Sequence, residues 1–354
     1  MNTIEKTPNI SIEKTPNISI EKTPNTSIEK TPTVPPYTIK HLIISGGGVY
    51  GFSFYGMLKE LNLNKVWNIS NIKTIHATSA GTVIATIIAL NYDWETMDKY
   101  IYNKNIFEPI KINISLIMQL FQNCGIYDGK QILNEYFENL FIPKNMDVNI
   151  SLKEFFEKTQ IEIHYFATSV YGFKVEDISY KTHPEWTVIE AIYASCSIPF
   201  IFKPFIKNEN IFIDGAFLIN YPVKMCPYDE NEMFGINLNL NTKNTTDIEN
   251  ILNMETRIND LKQSLETQTE MTLQETCDLL QNDENKLNIY KFCFIIVENI
   301  FINVTSKYIC KIQNQISLTL NVFNSLNFNL IKTVSQRKEL IQYGINIAKK
   351  FINK

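Results

Sequence analysis

From Ile39 onward the chain alternates short β-rich apolar runs with longer stretches whose apolar residues recur at helical spacing. "HLIIS" (His41 to Ser45) predicts a buried strand, "GGGVYG" a turn and "FSFYGMLKELN" a helix. "IKTIHA" (Ile72 to Ala77) predicts the next strand, and the apolar run from Thr82 to Leu90 a helix buried on most sides. Further strands are predicted at "IEIHYFATS" (Ile161 to Ser169), "KVEDISY" (Lys174 to Tyr180), "NIFID" (Asn210 to Asp214) and "MFGINLNL" (Met233 to Leu240). Between them, "TVIEAIYASCSIPFIFKP" opens on a capping box, Thr187 to Glu190, and predicts a helix ending near Pro199. Strands and helices alternating in this way predict an α/β domain around a mainly parallel sheet. Beyond Thr245 the pattern predicts helix alone, closing in the amphipathic "RKELIQYGINIAKKFI".

The segment before Ile39 follows another rule. "IEKTPNIS" repeats with an eight-residue period from Ile4, Ile12, Ile20 and Ile28, and leads to "TVPP". One or two isoleucines per unit, with a proline that blocks regular pairing, bury too little apolar area to offset the ordering entropy. Residues 1–38 are therefore expected to be a disordered tail; a short solenoid is the alternative, but the unit matches no usual repeat. Residues 39–230 are expected to form the core of the domain, and 231–354 its closing strand and helical C-terminal part.

With 354 residues, 44% of them apolar, the chain has enough material for a substantial core. A net charge of −4 lacks the basic excess of a nucleic-acid binder, so no nucleic-acid partner is expected. Cys124, Cys196, Cys226, Cys277, Cys293 and Cys310 are widely spread, with no C-x-x-C pair and no histidine at ligand spacing. They read as reduced core residues, and neither metal nor cofactor is expected. The polar start suggests no signal peptide, and no run reaches the ~18 apolar residues of a membrane span. A cytoplasmic protein is expected, soluble or peripherally associated with a membrane.

Three stretches carry candidate chemistry. Gly46, Gly48 and Gly51 fit G-x-G-x-x-G between a strand and a helix, but the acidic residue that would hold a ribose about 20 positions on is missing between Glu60 and Asp93. The same glycines, with Gly47, could instead present backbone N–H groups to a negative oxygen as an oxyanion hole. "IHATSAGTVIA" resembles a nucleophile elbow, G-x-S-x-G, centred on Ser79 with Ala77 in place of the first glycine and Gly81 as the second. A tight strand-to-helix turn needs such small neighbours, and Gly81, Ala85 and Ala89 form a smooth stripe on which the helix can approach the sheet. Ser79 as an ordinary helix N-cap accounts for the motif equally well. In "FIDGAFLINYP", Asp214 ends a strand before Gly215 and Ala216, which on its own reads as a turn.

Together and in this order, with "AIYASCSIP", "DGAFLINYPV" and the closing helix, these stretches resemble the patatin-like phospholipases over roughly Ile39 to Pro227. The resemblance implies a three-layer α/β/α sandwich, Ser79 as nucleophile, Asp214 as its base, and an oxyanion hole from the backbone of Gly46 to Gly48 with Gly51 beside it. It implies a lipid acyl hydrolase acting on a phospholipid or another acyl ester; acyl transfer, or a catalytically weak lipid-binding protein of the same fold, stays open. Two positions depart from the family pattern: Ala77, and Tyr50 where Arg or Lys is usual. No histidine is required, and His76 and His164 read as core residues of their strands. Peripheral contact with an anionic membrane is expected from the basic residues Lys332, Arg337, Lys338, Lys349, Lys350 and Lys354 of the last segment, the apolar side of whose helix (Leu340, Ile341, Ile345, Ile347, Phe351) is expected to pack as core.

Overall fold

The computed structural model describes residues 39–104, 122–240, 311–320 and 326–353, together with positions 297 and 300. The repeat tail, Cys277, Cys293, Cys310, Lys354 and most of the helical region expected beyond Thr245 lie outside the described residues.

Strands β1 (His41–Ile44) and β2 (Thr74–Thr78) are buried along their whole length, as strands covered on both faces must be. β1 lies between β2 and β9 (Met233–Leu240), parallel to both; β9 pairs in parallel with β10 (Gln315–Leu320), and β2 with β4 (Glu162–Ser169). β5 (Lys174–Ile178) pairs antiparallel with one edge of β4, β8 (Asn210–Asp214) pairs antiparallel with the other edge, past the end of β2, and β7 (Phe205–Lys207) pairs with β8. A mostly parallel central sheet with flanking helices results, the α/β class expected. Two short strands, β3 (Gly125–Tyr127) and β6 (Phe200–Phe202), pair separately.

Alternation along the strands divides the core. Leu42 and Ile44, Ile75 and Ala77, Ile163 and Tyr165, and Phe234 and Ile236 belong to the main cluster. The helices contributing to it include α1 (Gly51–Leu63), α2 (Ala80–Ala89), α3 (Trp94–Asn103), α4 (Gly129–Phe141), α5 (Leu152–Thr159), α6 (Val188–Cys196) and α7 (Val334–Ile352). Ile43, between Leu42 and Ile44, joins a smaller cluster with Tyr221, Val223, Cys226, Met233 and Ile312. His76 and His164, register partners on β2 and β4, stack at 4.2 Å between ring centroids. His76 is a buried core residue, and burial, then His164, push its pKa far down, so the ring is neutral. His164 is half-buried and pairs with Asp177 and Glu162.

α7 packs on α1 almost backbone to backbone. A Cβ on Gly344 would lie 1.9 Å from the Ser53 carbonyl oxygen, and one on Gly56 2.2 Å from that of Ile341. Ser53 Oγ seals the contact by donating to the Leu340 carbonyl at 2.8 Å. Ile341, Ile347 and Phe351 are buried and Leu340 and Ile345 half-buried, the core side expected.

Three expectations need correction. The C-terminal part is not helix alone, since β10 extends the sheet there. Cys124 is exposed rather than a core residue. Arg337 does not belong to a basic outer face: it is buried, and its guanidinium donates to the Tyr102 carbonyl in the last turn of α3 and to the Ile331 and Lys332 carbonyls just before α7. Lys332, Lys338, Lys349 and Lys350 are exposed.

Candidate active site

Ser79 sits between the last residue of β2 and the first of α2 with φ 52° and ψ −129°, a backbone conformation that costs about 1–3 kcal/mol for a non-glycine residue. The turn is held from three sides. The Ser79 N–H donates to Ser195 Oγ at 2.9 Å, Ser195 Oγ donates to the Phe166 carbonyl at 2.5 Å, and Thr82 donates both its N–H and its hydroxyl to the Ser79 carbonyl. Small neighbours make the turn possible. A Cβ on Gly81 would meet the Ser45 and Ile44 carbonyl oxygens at 2.6 and 2.7 Å, while Ala77 is fully buried behind the turn.

Although Ser79 occupies the N-cap position of α2, its side chain caps nothing. The hydroxyl instead donates to Asp214 Oδ2 at 2.5 Å. Asp214 Oδ1 accepts the Ala216 N–H at 2.8 Å, and the Asp214 N–H donates to the Ser197 carbonyl. Gly215 is required by closeness, since a Cβ there would lie 2.0 Å from the Phe166 carbonyl oxygen. Asp214 is completely buried. Burial pushes its carboxyl up to about 7, with the Ser79 and Ala216 hydrogen bonds pulling it partly back. Such a group can accept a proton near neutral pH. Neither His76 nor His164 hydrogen bonds to this pair.

The glycine loop lies against the turn. A Cβ on Gly46 would lie 3.2 Å from Ser79 Cβ, and one on Gly51 3.3 Å from Ala80 Cβ. Two of the four glycines expected to form the oxyanion hole have their amides committed elsewhere. Gly46 donates its N–H to the Asn220 carbonyl at 3.0 Å, and Gly51 donates to the carbonyls of Gly48 and Val49 as α1 begins. Their contribution is close approach. Among the described residues neither Gly47 nor Gly48 donates its amide to a protein acceptor, and Gly48, at φ 51°, adopts a conformation suited to glycine. Tyr50 is buried in the main core, its phenol pushed up to about 12 by burial, so it stands here as a neutral group.

Ser79 opens into a cavity of about 140 Å³ whose wall is apolar, with Val49, Phe52, Val83, Ile84, Leu133 and Ile198 among the lining residues. Cys196 also lines it, and burial, then the Asp214 charge, push its thiol well up, so it stays protonated.

Residues 42–226 match the family described as Patatin-like phospholipase. The chain belongs to this family. Within the patatin-like match lie the glycine loop, Ser79, Ser195, Asp214 and Asn220, whereas Phe328 and Ile331, which also line the cavity, lie beyond it. "Uncharacterized protein R571" of Acanthamoeba polyphaga mimivirus is 30% identical over 202 residues, covering 56% of this chain and 65% of its own length. "Probable lipid hydrolase 463L" of Invertebrate iridescent virus 6 is 26% identical over 194 residues, 54% of this chain and 64% of its own. The chain thus spans a little under two thirds of these relatives. Among solved structures, VipD from Legionella pneumophila superimposes with a TM-score of 0.48 at 16% identity, covering 89% of this chain and 67% of that one.

The structure also supplies residues that the sequence motifs left without a role. Ser195 and Asn220 lie inside "AIYASCSIP" and "DGAFLINYPV", and their position in those stretches was the available signal. Their tasks follow from contacts made across the fold, which no local spacing encodes.

Proposed function

We propose that the chain is a lipid acyl hydrolase working through a Ser79–Asp214 dyad. The observation that carries this reading is the hydrogen bond from Ser79 Oγ to Asp214 Oδ2, with Ser79 in the lining of an apolar cavity. Ser79 Oγ attacks the carbonyl carbon of an acyl ester while its proton passes to Asp214. The carbonyl oxygen becomes an oxyanion stabilised by the amides of Gly47 and Gly48. Collapse expels the alcohol portion, which takes the proton from Asp214, and leaves an acyl group on Ser79. Water then attacks, giving its proton to Asp214, and the second collapse returns that proton to Ser79 and frees the carboxylic acid. The cavity wall suits the acyl chain of a phospholipid or another lipid ester. Lys332, Lys338, Lys349 and Lys350 supply cations for peripheral contact with an anionic lipid surface.

The membership in the patatin-like family supports the same chemistry. Among the described residues no helix is long and apolar enough to cross a membrane. The experiment is hydrolysis of a short-chain nitrophenyl ester and of phospholipid vesicles by the purified protein beside Ser79→Ala. Activity lost in the variant is expected. Vesicle binding without hydrolysis in the wild type would mean a lipid-binding protein instead.

A further inference from the structure

Helix α2 runs directly away from Ser79 and forms one wall of the cavity with Ala80, Val83, Ile84 and Ile87, positions that share a helix face. At the helical rise, Ile87 lies about 12 Å from Ser79 along the axis, the length of roughly ten carbons of extended chain. Ile87 also lines a second cavity of about 50 Å³, together with Trp67, Ile88, Asn91, Trp94 and Met97. It is the residue shared by the two linings, and it is 2% exposed. A volume of about 140 Å³ is close to that of an apolar core cavity able to hold a benzene ring, so it has room for a short or medium chain and not for a long one.

We propose that Ile87 closes the acyl-binding cavity and so sets chain-length selectivity: esters of short and medium acyl chains are taken, and the space needed by a long chain lies behind the Ile87 side chain. The inference rests on the acyl-hydrolase reading above. Ile87 borders both spaces, so a chain reaching the second must displace its side chain. Removing side-chain atoms there is expected to join the two spaces, whereas removing them from Ile88, which lines only the second cavity, enlarges that space alone.

The test is kcat/KM on a series of nitrophenyl esters with acyl chains from four to sixteen carbons, for wild type, Ile87→Ala, Ile87→Val and Ile88→Ala. The wild type is expected to peak at ten carbons or fewer. Ile87→Ala is expected to raise the ratio of the twelve-carbon to the six-carbon rate by about tenfold, and Ile87→Val by less. Ile88→Ala is expected to leave that ratio as it is. Ile87→Val deletes a single methylene and keeps the comparison available if Ile87→Ala does not fold. A wild-type optimum at sixteen carbons, an unchanged ratio in the folded Ile87 variants, or an equal shift in Ile88→Ala overturns the proposal while leaving hydrolysis at Ser79 intact. Absence of hydrolysis at every chain length overturns the acyl-hydrolase reading as well.

Discussion

The Ser79 hydroxyl and the Asp214 carboxylate meet because β2 and β8 share one edge of β4. Thr78, the last residue of β2, pairs with Phe166, and Asp214, the last residue of β8, pairs with the next residue, Ala167. The other edge of Tyr165 to Ala167 is occupied by β5, so β8 takes up the first edge where β2 stops. A parallel strand and an antiparallel strand therefore end head to head, and Ser79, just past the end of β2, joins Asp214, at the end of β8, in one hydrogen bond.

Ser79→Ala and Asp214→Ala are each expected to lower ester hydrolysis by about a thousandfold or more, and the double variant to be about as inactive as either. Rates measured beside thermal melts check this; multiplying losses would mean that the two residues act separately.

The Asp214 carboxyl, raised to about 7, sets the expected pH dependence. As a base it must be ionised, so kcat/KM should fall on the acid side of about pH 7 and level off above it. Stability moves the opposite way. Between about pH 4 and pH 7 the folded state holds a proton that the unfolded state has lost, so this group's contribution declines as pH rises through that window. Melting temperatures of wild type and Asp214→Asn across that range check the sign: the variant should gain on the wild type as pH rises.

Ser195→Ala removes the acceptor of the Ser79 N–H and the donor to the Phe166 carbonyl. The strained turn loses a support while the dyad keeps its atoms, so kcat should fall by about tenfold with KM little changed. Steady-state kinetics separate this from a simple stability defect, and Ser195→Thr, which restores a hydroxyl, should recover part of the rate.

Much of this arrangement is legible in the sequence, and the exceptions have physical causes. β1, β2, β4, β8 and β9 are short apolar or β-branched runs bounded by turns, and the small residues around Ser79 and after Asp214 mark where backbones crowd. β10 escapes because "QISLTL" alternates buried and half-buried positions at a sheet edge and follows a long stretch of helical character. Which glycine amides are free depends on partners such as Asn220, far along the chain, and Arg337 reads as a surface cation until its carbonyl acceptors are known.

Gly344→Ala should destabilise the fold by roughly 1–3 kcal/mol, because the added methyl meets the Ser53 carbonyl in the tightest part of the α1–α7 contact. Denaturant unfolding measures this.

With Arg337 buried, attraction to an anionic surface falls to the exposed lysines. Reversing Lys349 and Lys350 to glutamate should weaken co-sedimentation with anionic vesicles by about 1 kcal/mol or more per residue, and added salt should weaken it in the wild type. Binding indifferent to both would assign membrane contact to another surface.

The most direct measurement of the central claim is the mass of the protein and of its peptides after incubation with an organophosphonate that reacts with activated serines. One adduct is expected, on the peptide carrying Ser79, lost in Ser79→Ala and formed far more slowly in Asp214→Asn. An unlabelled wild type, or a label on any other serine that persists in Ser79→Ala, would contradict the assignment of Ser79 as a nucleophile activated by Asp214.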